Sequence, residues 1–266
     1  MKGTAGPLIA NVCRGSRKDF RDAVSAARKA QPGWAGRAAF NRGQILYRIA
    51  EMLEGRAAQF VAELQQTGAT QRAAEAEVRA AIDRLIRYAG WADKYQQFFS
   101  ALNPVSSSYF NFSLLEPTGL VAAFAPEENG LIGLVSVLVP IITGGNTVIL
   151  IASDQHPISA ISFAEVLHSS DVPGGVVNII TGHREERIPH ISSHMDVKAV
   201  VYTGAASDHL KQIQENATLN VKRVFHWEDG DWMAESAQGP YKIQDLQEIK
   251  TTWHPVGGSF SGGGAY

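Results

Sequence analysis

Apolar residues in the first hundred positions recur at steps of three and four. Phe20, Val24 and Ala27 make one such set, and Ser16 with Asp19 three residues later is a capping box in front of them. Pro32 and Gly33 are expected to end that helix. Leu46, Ile49, Leu53, Ala57, Phe60 and Leu64 predict one buried face of a second, long helix closed by Gly68. Val78, Ile82, Leu85, Ala89 and Ala92 predict a third. At Asn103–Pro104 the period changes. Phe110, Phe112 and Leu114 alternate with their neighbours, so 109–115 reads as a half-exposed strand. From Leu120 onward, short β-rich runs (120–125, 147–151, 176–180, 199–202, 221–225) alternate with stretches of helical pattern at 131–142, 158–167 and 208–217. Uniformly apolar strands separated by helices imply a parallel sheet covered on both faces, a doubly wound α/β fold that offers ligands the carboxyl ends of its strands. After Phe225 comes an acidic, turn-rich stretch, then a candidate strand at 249–253 and a glycine-rich tail expected to be disordered.

Composition narrows this picture. The 266 residues carry 24 Lys and Arg against 26 Asp and Glu, a net charge of -2, which argues against a strongly basic nucleic-acid binder. The longest apolar run, 131–142, is interrupted by Ser136 and Pro140 and is too short for a membrane span of about 20 residues. Residues 1–10 hold no signal-type apolar block, so a cytoplasmic protein is expected. Cys13 is the only cysteine, which excludes an intramolecular disulfide, an iron–sulfur site and a cysteine-based zinc site. His190 and His194 have i, i+4 spacing without the Glu of a zincin, and His226, Glu228, Asp229 and Asp231 read as a solvated acidic turn, so no metal is expected. Arg72, Arg79, Arg84 and Arg87, interleaved with Glu75, Glu77 and Asp83, read as a salt-bridged helix face. The acceptor patterns at Asn111 and Asn216 read as chance matches.

Several stretches then fall into one colinear pattern. They are 19–34, 42–68, Glu116–Pro117–Thr118–Gly119–Leu120–Val121, Gly144–Gly145–Asn146–Thr147, Pro173–Gly174–Gly175 through Gly182, and Val201–Tyr202–Thr203–Gly204. Together they resemble the aldehyde dehydrogenase superfamily. Residues 246–253 are similar to that family's late strand, which joins oligomers. Complete members place a catalytic domain between these two pieces, whereas here only about fifteen residues intervene. The chain resembles a cofactor domain with oligomerisation strands and no catalytic domain, like the degenerate C-terminal module of family-16 aldehyde dehydrogenases. The resemblance implies a Rossmann-type doubly wound sheet with N-terminal helices and a small β flap. It divides the chain into helices (1–102), flap strands (103–118), α/β domain (119–230), linker and C-terminal strand (231–254) and tail (255–266).

Aldehyde oxidation needs a thiolate, a general base, an oxyanion donor and a hydride acceptor. The family's nucleophile would lie in the missing domain, and Cys13 sits at the opposite end. Where the family carries its basic Glu, this chain has Trp227, with Glu228 one residue off and on the other face of a strand. Glu128 stands where the resemblance puts the oxyanion-binding Asn, with Asn129 one position away. Ile151 replaces the ribose-binding Lys, Asp154 a Glu and Ala205 a Ser, while Asp208 and His209 crowd the start of the pyrophosphate helix. No catalytic residue is therefore expected, and Pro126, Ile151, Asp154 and Gly204 outline only a vestigial cofactor cleft. Two readings follow. The first is a non-catalytic oligomerisation or interaction module, pairing with itself or with a full-length aldehyde dehydrogenase, without cofactor, nucleic acid or membrane. The alternative is a subunit or residual oxidoreductase that binds NAD or NADP through main-chain contacts near Ala125, Pro126 and Gly204.

Overall fold

The computed structural model describes residues 8–228 and 230–256. Helices α1 (Arg17–Ala35), α2 (Ala39–Gly55), α3 (Ala57–Gln66), α4 (Gln71–Ala89) and α5 (Tyr95–Phe99) come first. Strands β1 (Ala101–Asn103), β2 (Tyr109–Pro117) and β3 (Leu120–Phe124) follow. The chain then alternates through α6 (Ile132–Thr143), β4 (Thr147–Ile151), α7 (Pro157–His168), β5 (Val177–Ile180), α8 (Ile188–Ser193), β6 (Ala199–Tyr202), α9 (Ser207–Ala217) and β7 (Arg223–His226). A 3-10 turn (Glu235–Ala237), α10 (Tyr241–Asp245) and β8 (Gln247–Pro255) complete the described chain.

Five parallel strands form one sheet in the order β5-β4-β3-β6-β7, the doubly wound arrangement expected. Alternate residues serve opposite faces. Val121, Ala123, Val148, Leu150 and Val201 pack with α2–α4, α6 and α7, whereas Leu120, Ala122, Phe124, Ile149 and Val200 pack with α1, α8 and α9. All twelve residues of α6 are buried, which explains why its sequence is apolar on every side.

The capping box at Ser16 and Asp19 is present, and it holds the Asp19 carboxyl below the usual range. Pro32 does not end α1, however; the helix runs on to Ala35. Trp34 is fully buried and its indole Nε1 donates to the Ile142 carbonyl at 3.0 Å, so tertiary anchoring outweighs the helix-breaking residue. The long second helix is two helices broken at Arg56, with the apolar stripe continuing across the break. The expected salt-bridged face of α4 is not one. Glu77 and Arg84 point inward at α6, where the Glu77 carboxylate accepts from the amides of Leu131 and Ile132 (2.8 and 3.1 Å) and Arg84 donates to Ser136. Arg42 is likewise buried against the carboxyl end of α6 and donates to the Thr143 carbonyl, a favourable place for a cation.

The last parallel strand starts two residues later than its sequence pattern suggests, because Val221 has φ 53° and is 91% exposed in the turn before it. The stretch expected to be a linker is packed: Trp232, Ile243 and Leu246 join the main core, and the Lys242 ammonium sits over the rings of Trp227 and Trp232. Strand β8 is longer than expected and pairs antiparallel with β2 over nine positions, from Tyr109↔Pro255 to Pro117↔Gln247. With β1, which begins two residues before the expected flap boundary, it makes a separate three-stranded sheet. On β2 the burial is the reverse of the alternation argument. Asn111 and Leu115 are buried, while Phe110 and Leu114 face outward. Asn111 is therefore no accessible modification site, and Asn216 is bonded to Ser192. Pro255 of the expected tail belongs to β8; residues 257–266 lie outside the described residues.

Candidate functional site

In a doubly wound sheet the chain order reverses between two central strands, here β3 and β6, and the crevice beyond their carboxyl ends is the ligand site of the fold. Four segments border it: Ala125–Asn129 after β3, Ala152–Gln155 after β4, Thr181–Arg184 after β5 and Thr203–Ser207 after β6.

The structure brings Pro126, Ile151, Asp154 and Gly204 to these ends, but each is engaged by the chain itself. Pro126 is buried against Gly133 of α6, where any side chain would collide with its ring. Ile151 is fully buried in the core face shared with α1 and α8. The Asp154 carboxylate accepts from or pairs with His183 Nδ1 at 3.2 Å. Gly204 lies beneath the Tyr202 ring, and its carbonyl is 2.9 Å from His226 Nε2.

A residue with no assigned role occupies the centre. The Glu127 carboxylate accepts from Ser153 Oγ at 2.5 Å and from the amides of Asp154 and Gln155 at 3.2 and 3.1 Å. It also pairs with Arg184, whose guanidinium donates to the Ala125 carbonyl at 2.7 Å. Glu127 thus takes the main-chain donors of the turn between β4 and α7, the kind of nest that otherwise holds an anion. Its neighbour Glu128, placed by the resemblance at the oxyanion position, is exposed. His156, next in line after the turn, is held below its usual pKa by burial, an effect that Glu77 and Glu127 oppose.

Aromatic rings fill the other half of the crevice. Tyr202 packs edge-on against Phe124, stacks on His226 and shares a 3.2 Å hydrogen bond with His209 Nδ1. Burial pushes the Tyr202 phenol above its usual pKa. His226 Nδ1 meets the carboxylate of Glu228 at 3.1 Å. Trp227, at the position of the family's base, is buried and donates to Asp245 at 3.0 Å; Glu228 projects into solvent. Burial also raises the Asp245 carboxyl above the usual range, partly offset by that Trp227 bond. At the start of α9, Ala206 supplies no side-chain cap and Asp208 stands in the first turn. Cys13 is exposed, and no group of three or more metal-ligating side chains occurs among the described residues. No helix among them is long and apolar enough to cross a membrane.

Neither Arg184 nor the partners of Glu127 were evident beforehand. The sequence signal is Glu127 itself, an acid three residues past an all-apolar strand.

Comparison with known proteins agrees with this architecture. The profile of the aldehyde dehydrogenase family matches residues 3–228. Human aldehyde dehydrogenase 1A1 is 33% identical over 222 residues, covering 81% of this chain and 44% of that protein. Omega-crystallin of Enteroctopus dofleini is 30% identical over 220 residues, with the same coverage. Among solved structures, PnpE from Pseudomonas sp. WBC-3 superposes with a TM-score of 0.78 at 26% identity, covering 82% of this chain and 45% of PnpE. PnpE has also been solved in complex with nicotinamide adenine dinucleotide. The chain spans less than half the length of these relatives. Over the span that it does cover, the strand order, the flap and the sequence all point the same way, and this chain belongs to the aldehyde dehydrogenase family.

Proposed function

We propose that this chain is a non-catalytic member of the family that works as an oligomerisation and interaction module through its β flap. The observation that carries the reading is the flap itself. Leu102, 70% exposed, shares one face of the flap with the exposed Phe110 and Leu114, and Ile249 and Trp253, 67% and 57% exposed, lie on the other face in register with Leu115 and Asn111. Among the described residues, the second edge of β8 is unpaired along nine residues. Exposed apolar side chains next to a long free strand edge favour pairing with another chain. The partner is a second copy or a full-length aldehyde dehydrogenase.

The crevice supports the same reading. Glu127 holds the turn amides, Ile151 offers no charged head group, and Tyr202, His209 and His226 fill the mouth near Gly204. These residues do not fit a dinucleotide. The rival reading, an NAD- or NADP-binding oxidoreductase subunit, draws on family membership and on relatives named as dehydrogenases.

Sedimentation velocity tests the proposal, on the chain alone and mixed with a full-length homologue. A dimer or mixed complex is expected, and it should be lost in L102S/F110S/W253S with unchanged circular dichroism. A monomer that binds no homologue overturns it. Thermal melting with NAD and NADP separates the rival. A cofactor present at one hundred times its Kd stabilises by about 2.7 kcal/mol. No shift at millimolar cofactor is expected.

A further inference from the structure

Away from the crevice, the amino-terminal half of α1 and the end of α8 enclose a groove of about 670 Å³, a volume in the range of small-molecule sites. From α1 it is lined by Arg17, Lys18, Arg21 and Phe20, and from α8 and the following turn by His190, His194 and Met195. Among the described residues no carboxylate lines it, although the chain as a whole is slightly acidic.

The nearby acids already have partners. Asp22 pairs with Lys18 (3.4 Å), Asp196 with Arg28 (3.1 Å), Glu186 with Arg14, and Asp19 is held in the Ser16 cap. Arg17 and Arg21 have no ion-pair or hydrogen-bond partner for their guanidinium groups among the described residues. Four residues apart, they stand one helical turn from each other on the same face, close enough to share one tetrahedral anion. His194 Nδ1 accepts from the Asp196 amide at 3.2 Å, which leaves its Nε2 as the ring's donor. The His194 ring is fixed edge-on against Phe20. His190 is held below its usual pKa, first by burial and then by the positive charges of Arg17 and Arg187. Met195, exposed, gives the groove an apolar wall.

We propose that this groove binds a small organic phosphate monoester, with Arg17 and Arg21 on the phosphoryl oxygens, the His194 Nε2 proton as a neutral donor, and the organic part against Phe20 and Met195. Two guanidinium groups with two imidazoles suit a dianion better than a carboxylate, and the apolar wall suits an ester better than the bare ion. The site is independent of the flap and of the crevice.

The test is an NMR titration of the full chain, following the ring protons of His190 and His194 with phenyl phosphate, inorganic phosphate and benzoate. Phenyl phosphate is expected to shift both rings, to bind at least tenfold more tightly than benzoate and several-fold more tightly than inorganic phosphate, and to raise the His190 titration midpoint. R17A/R21A alters two exposed side chains and should keep the fold by circular dichroism, while weakening phenyl phosphate at least tenfold. R48A, on α2, should change nothing. The assignment is overturned if neither ring shifts, if benzoate binds as well, or if the double variant binds like wild type. Equal binding of inorganic and phenyl phosphate removes the organic half of the ligand and overturns the proposal as stated.

Discussion

Replacing Glu127 by Ala removes a carboxylate that satisfies one hydroxyl, two amides and a guanidinium at once. The Arg184 side chain is only 10% exposed, so the variant strands a buried cation whose remaining partner is the Ala125 carbonyl. Breaking a buried pair from one side costs about 3–5 kcal/mol. Glu127 is 23% exposed and water can replace part of it, which lowers the expected cost to about 2–3 kcal/mol. At about 2–4 °C per kcal/mol for a chain of this size, the midpoint should fall by about 4–12 °C. The assay is urea denaturation of a double-mutant cycle with Arg184→Met. Removing the stranded charge should make E127A/R184M less destabilised than the two single changes summed, by about 1–3 kcal/mol. Additivity within about 0.5 kcal/mol would refute the idea that Glu127 closes the crevice by pairing with Arg184.

Two further outcomes are expected. Lys222 is buried, donates to the His194 carbonyl and has its pKa lowered to about 8 by desolvation and then by Lys198, against the ordinary 10.5. Between these values the unfolded chain binds more protons, so this group's contribution to stability should rise from pH 8 to 10.5 and stay flat below pH 8. The wild-type stability minus that of K222M, measured by urea denaturation, should climb by up to about 3 kcal/mol across that window; a flat difference would remove the assignment. Gly175 has φ +89°, and a Cβ there would lie 2.6 Å from the Ala26 carbonyl oxygen, whereas Gly174 has open space. G175A should cost at least about 2 kcal/mol and G174A less than about 0.5 kcal/mol, so equal melting temperatures would contradict the α1 packing.

The parallel sheet was legible because β3, β4 and β6 are almost wholly apolar and are separated by stretches of helical period. The capping box at Ser16 was legible because it is local. What alternation could not tell on β2 was which face is covered. It grouped Phe110 with Leu114 correctly, but this chain covers the face of Asn111 and Leu115 instead. The break at Arg56 escaped because the apolar stripe runs unbroken across it. Trp232 and Ile243 were hidden among turn-forming neighbours, whose polarity says nothing about an aromatic ring reaching back to the core. In the crevice, the loss of Lys at 151 and of Ser at 205 was visible residue by residue. The role of Glu127 was not, because its partner Arg184 is 57 positions away and only the sheet brings them together.

The neck between β7 and β8 has a different consequence. Arg223 donates to the Gln247 carbonyl at 2.5 Å, Trp227 to Asp245 at 3.0 Å, and Asn146 to the Leu246 carbonyl at 3.0 Å. The two ends of segment 227–246 are thus held side by side whatever the segment contains. Closing a loop between fixed ends costs only about 0.6 kcal/mol for each doubling of its length. Lengthening this neck eightfold would cost about 2 kcal/mol, less than the loss of one well-packed leucine. The junction is therefore a natural splice point, where a whole folded unit with neighbouring termini could be gained or lost while the sheet and the flap on either side stay in register.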